Sequence, residues 1–289
     1  MLPNAMLWNE LKASEIEEAI EKSKGVCVIP LGAMEKHGPH MPLGTDNIIA
    51  ERTAYLAAEQ EPVVIMPTFH FGHVNGLQYT PGAICLSLKL LFRFFDELCS
   101  EIARCGFKKI LIHNAHGGNF PLVETFVNMM REKKRDYVVA YVHSFMKLED
   151  EFRHILSNRE EYPEINDGDY AIIKRYIDEK IIDGHAGFEE MNMVYESRPE
   201  LVDLSKIGDE DGMSIHRTDH LTAAGLNFGN MTWHADYPNS YGAQYFPYCN
   251  ERIAKAYMRA RVKTCANVFK VMKEDTEFMK VNDEWNKQW

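Results

Sequence analysis

One short stretch concentrates side chains that bind metals: Glu35-Lys36-His37-Gly38-Pro39-His40-Met41-Pro42-Leu43-Gly44-Thr45-Asp46. It holds a carboxylate, two imidazoles and a second carboxylate. Glu35 and His37 stand two apart, so on an extended segment they project to the same side. Asp46 returns from the far end of the turn. A carboxylate has lone pairs enough to bridge two cations, and Zn²⁺, Mn²⁺ and Fe²⁺ accept mixed imidazole and carboxylate ligands. Any one of these residues alone reads as an ordinary polar group; together after one apolar run they point to a metal.

Two further groups could join them. His116 lies in Asn114-Ala115-His116-Gly117-Gly118-Asn119, directly after the apolar run Lys109-Ile110-Leu111-Ile112-His113. The glycines could instead make a plain turn or cradle an anion on the next helix, but neither GxGxxG nor GxxxxGK[ST] is present. Asp183-Gly184-His185-Ala186-Gly187-Phe188-Glu189-Glu190 is the third group. His185 alone reads as an ordinary loop histidine, and Glu190 reaches the same place only if the turn–helix junction points inward. The stretch from Thr68 to Gly82 carries His70, His73, Asn75 and Gln78. It is too long and polar for a simple connection, and the readings open for it are a pocket wall, a subunit contact or neither.

The elements that must position these groups follow from periodicity. Gly25 to Leu31 is a continuous apolar run rich in Val, read as a strand buried on both faces. Ser14-Glu15-Ile16-Glu17 reads as a capping box for a helix that ends before Gly25. Asn47 to Leu56 is helical, which puts Asp46 at a helix N-terminus. Strands are expected at Pro62–Pro67, Lys109–His113 and Tyr137–Val142, with helices over Leu86–Cys105 and Phe120–Lys134. This β-loop-α alternation implies an α/β fold with a mainly parallel sheet covered by helices. Its polar loops gather at one sheet edge, where open sheets bind ligands. Residues 1–13 read as a packed arm. Residues 147–182 are highly charged, with one amphipathic helix from about Tyr170 to Lys180, and are either a solvated face or a lid. A helix is expected after Gly187, loops over 205–240, and a long helix from Asn250 to Glu274.

The chain of 289 residues carries 32 basic and 43 acidic side chains, a net charge of -11. That balance argues against nucleic acid and against an anionic membrane as partners. No apolar stretch is long enough to span a bilayer, and no signal peptide is recognisable. The six cysteines form no CxxC pair and several sit in apolar runs, which suits reduced thiols in the cytoplasm.

The three blocks, Glu35-x-His37-Gly38-x-His40-x-Pro42-x-Gly44-Thr45-Asp46, Asn114-x-His116-Gly117-Gly118-Asn119 and His185-Ala186-Gly187-x-x-Glu190, occur in the order of, and resemble, the signature blocks of the creatininase (creatinine amidohydrolase) family. The resemblance runs from about Trp8 to Ala260. It implies a three-layer α/β/α sandwich with a mainly parallel central sheet, residues 1–289 as a single domain, and a homo-oligomer, usually a hexamer. It also implies two divalent metal ions, zinc first, with manganese or iron as alternatives. Glu35, Asp46 and His116 resemble the ligands of one; His37, Asp46 and Glu190 resemble those of the other. Creatininase itself takes a Glu where Gly118 stands here, whereas members with the HGGN form use the Glu matching Glu190. His185 and Glu190 are then the catalytic candidates, with His185 a proton shuttle; Gly117, Gly118, His73 and Gln78 are the candidate substrate-binding residues.

The activity implied is opening of a C–N amide bond, in a cyclic amide or formamide of a small polar molecule, through a metal-bridging hydroxide. Alternatives are cleavage of a C–C bond in a cyclic diketone such as an oxidised inositol, and a non-catalytic metal or small-molecule binder. Two departures tell against creatinine as substrate. Glu190-Met191-Asn192 replaces the family's Glu-Thr-Ser, and the four tryptophans, Trp8, Trp233, Trp285 and Trp289, all lie outside 147–184.

Overall fold

The computed structural model describes residues 2–144 and 148–288. Five parallel strands form one sheet, β1 (Ala5–Leu7), β2 (Val26–Leu31), β3 (Val63–Ile65), β4 (Lys109–Asn114) and β5 (Val138–His143), in the spatial order β1-β3-β2-β4-β5. The register pairs Leu31 with Asn114 and Asn114 with His143, so these strands end level with one another.

Alternation along the strands builds two cores. Cys27, Ile29, Leu31, Ile110 and Ile112 pack with α1 (Ile16–Ser23), α3 (Leu88–Arg104) and α4 (Phe120–Met129). Val26, Val28, Val63, Ile65 and Leu111 face α2 (Thr45–Gln60), α7 (Phe188–Ser197) and α10 (Glu251–Glu274), with α5 (Leu148–Ser157) and α6 (Asp167–Asp178) outside them. The result is the expected mainly parallel sheet between helical layers. Every residue of β2 is buried, as its apolar sequence requires.

The chain leaves β2 for β3 on one side and later returns to β4 on the other. The crossovers on either side of β3, through α2 and α3, cover opposite faces. The carboxyl ends of β2 and β4 therefore flank the switch point where open sheets bind their ligands.

Four local expectations need correction. The arm at residues 1–13 contributes β1, an edge strand paired with β3. The cap of the first helix lies earlier: the Lys12 amide donates to Glu15 at 2.8 Å, and Ser14 sits inside the short turn Ala13–Glu15. Residues from 148 to 182 form two helices, α5 and α6, where one was expected; residue 147 lies outside the described residues. Their outer faces carry pairs one turn apart, such as Arg175 with Glu179 at 2.9 Å, while Phe152, Ile155, Ile173 and Tyr176 are buried. Two short helices, α8 (Asp219–Ala223) and α9 (Asn230–Asp236), interrupt the loop-rich region, and α11 (Glu277–Lys287) follows α10. No helix among the described residues is long and apolar enough to cross a membrane.

His113 on β4 is fully buried, with Nε2 2.8 Å from the Thr53 hydroxyl. That hydroxyl donates to the Ile49 carbonyl, so Nε2–H donates to it and Nδ1 is left without a partner. Burial, with the charge of Arg261 second, lowers His113 to about 4. The unfolded chain therefore binds the proton more readily between pH 6.5 and 4, and stability falls as pH drops through that window. The contribution is on the order of 2 kcal/mol at pH 5. Urea denaturation at pH 7 and pH 5 should show His113→Leu losing that much less stability on acidification than the parent; parallel losses would refute this.

Candidate metal centre and its pocket

Three loops deliver the site. The first leaves β2 and folds back on itself: His37 pairs with Met41 across the turn, and the Glu35 amide donates to the Leu43 carbonyl at 3.1 Å. The chain then enters α2 with Asp46 in its first turn. The second loop leaves β4, where Asn114 and Asn119 lock it. Asn114 Nδ2 donates to the His116 carbonyl at 2.9 Å, and Asn119 Nδ2 donates to Asn114 Oδ1 at 2.8 Å. The third loop enters α7. Asp183 accepts from the Phe188 and Glu189 amides at 2.7 and 3.0 Å, satisfying helix-start donors that would otherwise be orphaned. In the first turn of α7, Glu189 meets Arg261 of α10 at 2.7 Å, and Arg261 is buried against Glu151.

The loops meet directly. His37 Nε2 is 3.0 Å from Asp46 Oδ1 and 3.6 Å from Glu190 Oε2. His116 Nδ1 is 3.0 Å from Glu35 Oε1 and 3.1 Å from Asp46 Oδ2. His185 Nδ1 is 3.5 Å from Glu35 Oε1. Two groups able to hold a metal ion, Glu35–Asp46–His116 and His37–Asp46–Glu190, share Asp46, and a third is Glu35–His37–His185. Glu35, His37, Asp46 and His116 are all buried.

Backbone carbonyls fix the imidazole tautomers. A carbonyl only accepts, so the nitrogen facing it carries the proton. His37 Nδ1 faces the Glu35 carbonyl at 3.2 Å, His116 Nε2 faces that of His73 at 3.1 Å, and His185 Nε2 faces that of Lys36 at 2.7 Å. Each ring then turns its other nitrogen toward the carboxylates, the arrangement that orients histidine ligands in metal sites.

The electrostatics register a deficit of positive charge. Burial opposes protonation of His37, but Asp46 and then Glu190 outweigh it and hold the imidazole at about 10. Burial likewise opposes protonation of His116, which Glu35 and Asp46 raise well above its ordinary value. Burial resists ionisation of Glu35 and Asp46, yet the neighbouring imidazoles keep both carboxyls below the usual range. Glu190 is lifted by burial to about 8 despite the charge of His37, and burial lowers His185 to about 4. Glu35 Oε1 and Asp46 Oδ2 are buried and face His116 Nδ1 at 3.0 and 3.1 Å without a well-directed hydrogen bond to either. Unpaired buried carboxylate oxygens cost several kcal/mol unless a cation satisfies them, so this donor set fits divalent metal ions.

The family profile of creatininase, described as creatinine amidohydrolase, matches residues 9–246. This chain belongs to the creatininase family. Among curated relatives, the mycofactocin precursor peptide peptidase of Mycobacterium tuberculosis (strain CDC 1551 / Oshkosh) is 34% identical over 119 residues, 38% of this chain and 47% of that protein. The match thus spans about half of that relative's length. Creatinine amidohydrolase of Pseudomonas putida is 23% identical over 216 residues, 72% of this chain and 78% of the other. The solved structure "Creatininase Mn" superposes with a TM-score of 0.70 at 18% identity, covering 94% of this chain and all of that one, a likeness of fold.

The loop that holds His116 offers no carboxylate at position 118, which is glycine. A Cβ on Gly118 would lie 2.4 Å from His116 Nε2 and 2.6 Å from the His73 carbonyl, so nothing larger than glycine fits the loop as folded. The carboxylate beside His37 comes instead from Glu190, whose Oε2 also accepts from the Ala186 amide at 2.7 Å.

A cavity of about 330 Å³ opens over the cluster, lined by Glu35, His73, His116, Gly117, Gly118 and His185, with Val74, Asn230, Trp233 and His234. His73 is thus a wall residue. Gln78 is exposed, absent from the lining, and accepts from the Gly76 amide at 3.0 Å. His70 lines a separate groove beside Glu51 and Arg52. A second cavity of about 670 Å³, bordered by Arg153 and Lys180, shares Gly117 and His185 with the first. Sequence reading missed Asn230, Trp233 and His234. The available signal was a Trp-His pair in a loop-rich segment.

Gly118→Ala should push His116 aside and weaken divalent-metal affinity by roughly tenfold or more, with circular dichroism unchanged. Gly117→Ala, where a Cβ meets open space, should retain parental affinity. Titration calorimetry on both variants checks the pair, and equal affinities would remove the steric argument.

Proposed function

We propose that this family member is a metal-dependent hydrolase opening a C–N amide bond, cyclic or formyl, in a small polar substrate. The observation carrying the reading is Asp46, which turns one oxygen to His37 and the other to His116 at 3.0 and 3.1 Å. A carboxylate so placed suits a bridge between two cations. Glu35, Asp46 and His116 would hold one divalent ion, and His37, Asp46 and Glu190 the other. Imidazole and carboxylate donors favour zinc, with manganese and iron next. We further propose a cytoplasmic single-domain protein, assembled as the homo-hexamer that the family resemblance suggests.

Bound there, the ions would lower the pKa of a water and polarise the scissile carbonyl. The protein's own groups do the rest. The Gly117 and Gly118 amides border the cavity and are assigned to the developing oxyanion. His185 presents Nδ1, its other nitrogen being committed to Lys36 O, and is assigned proton transfer to the leaving nitrogen. His73 closes the wall beside Gly118, to whose carbonyl its Nδ1 donates at 3.0 Å.

Metal analysis and amide hydrolysis on two variants test the assignment. Asp46→Ala should lose both ions and turnover. His185→Ala should keep its metal and lose turnover by roughly 10²–10⁴-fold. Full activity in the Asp46 variant, or metal loss in the His185 variant, would overturn it.

A further inference from the structure

One wall of the smaller cavity comes from α9, a helix outside the three sequence blocks and outside the sheet. It supplies Asn230, Trp233 and His234 to the smaller cavity. Trp233 stands edge-on to His185, with ring centroids 5.3 Å apart and planes at 80°. Its own face is covered by Tyr237, stacked at 5.1 Å and 23°. The indole is therefore held on two sides, as a shape-selecting side chain must be.

The helix is fastened to both sides of the site. Asn230 Nδ2 reaches the Asn75 carbonyl at 3.4 Å, and the Tyr79 hydroxyl reaches that of Pro238 at 3.4 Å. His234 lies so close to Gly76 that a Cβ there would be 2.3 Å from its ring, and Gly76 has φ +111°. Beyond α9, the Ser240 carbonyl accepts from the Gly38 amide at 3.1 Å, and the Gly242 amide donates to the His185 carbonyl at 2.8 Å. At the last residue of α9, Asp236 accepts from the Thr218 amide and hydroxyl at 2.8 and 2.6 Å. The roof is thus tied to the loops that carry His37, His73 and His185.

The chemistry of this wall differs from that of the neighbouring cavity. Among the described residues neither Lys nor Arg lines the smaller one, and its surface away from Glu35 is indole, imidazole, Val74 and a side-chain amide. The larger one has Arg153, Lys180 and Glu149 on its rim. A flat uncharged ring matches the first, whose bulkiest wall residue is the Trp233 indole.

We propose that Trp233, set by α9, is a specificity-determining residue that admits a small, flat, uncharged cyclic amide and turns away the same ring bearing a bulky arm. This rests on the hydrolase reading only for the word substrate; the selection itself is a binding property.

Hydantoin and 5-phenylhydantoin share a reacting ring and differ in the arm, so calorimetric binding to the metal-loaded full chain isolates the roof. The parent should bind hydantoin roughly tenfold more tightly than the phenyl derivative. Trp233→Ala should weaken hydantoin binding and strengthen binding of the phenyl derivative, closing or inverting the ratio at unchanged metal content. Trp233→Phe, which keeps an aromatic wall, should retain the parental order. A ratio unchanged in Trp233→Ala, or a parent that does not discriminate, overturns the proposal. Hydrolysis followed in parallel separates a positioning role: if kcat falls for both compounds while the binding ratio stays, Trp233 merely holds His185 and the specificity assignment fails. Selective binding without hydrolysis of any amide would sink the hydrolase reading and leave the roof standing. Hydrolysis with an unaltered ratio does the reverse.

Discussion

Asp46 faces His37 with one oxygen and His116 with the other, in a place almost free of water. Around it the fold buries Glu35 and half-buries Glu190, and the imidazoles respond by holding protons far more firmly than free histidine does. Crowding three carboxylates so far from solvent is costly, and the cost is acceptable only where something positive completes the cluster. The surrounding architecture reads as an answer to that constraint. The parallel sheet brings two loops level at its switch point, and backbone carbonyls turn each ring so that its free nitrogen faces inward.

Support for the cluster extends well beyond the groups that touch it. Asp183 fixes the start of α7, and Arg261 braces the same helix from α10 through Glu189, so the direction in which Glu190 points depends on a buried ion network with Glu151 and Tyr257. Asn114 and Asn119 do the same for His116 through the loop backbone. Gly118 adds a prohibition: the loop closes so tightly on His116 and on His73 that a side chain cannot enter. The carboxylate next to His37 thus has to arrive from a distant part of the sequence.

Much of this was legible in the sequence, for physical reasons. Val26 to Leu31 could only be a strand covered on both faces, and Asp46 before a helical pattern could only sit at a helix start. The β-loop-α alternation then required the polar loops to share an edge. Less legible were features that depend on partners far along the chain. β1 is three residues long and stable only because β3 offers it an edge. Glu15 outcompeted Ser14 for capping because Lys12 lay within its reach. His185 on its own read as an ordinary loop residue, singled out only by the family resemblance, because nothing local reveals that its Nε2 meets the Lys36 carbonyl across 149 residues. Trp233 was counted but not connected to the site, since α9 gains its position from Asn75 and Gly76 rather than from any periodicity of its own.

The direct bonds between the first and third loops set a timetable for folding. His40 Nε2 meets the Ala186 carbonyl at 3.1 Å across 146 residues, and His185 closes on Lys36 in the same way. Neither bond passes through the sheet, and neither can form until strands and both helical layers have brought distant segments together. Loop closure over such separations is slow relative to local helix formation. The site is therefore a late product of the folding reaction, assembled on a scaffold already in place, and by the same token it is the part of the molecule able to come apart while the sheet stays whole.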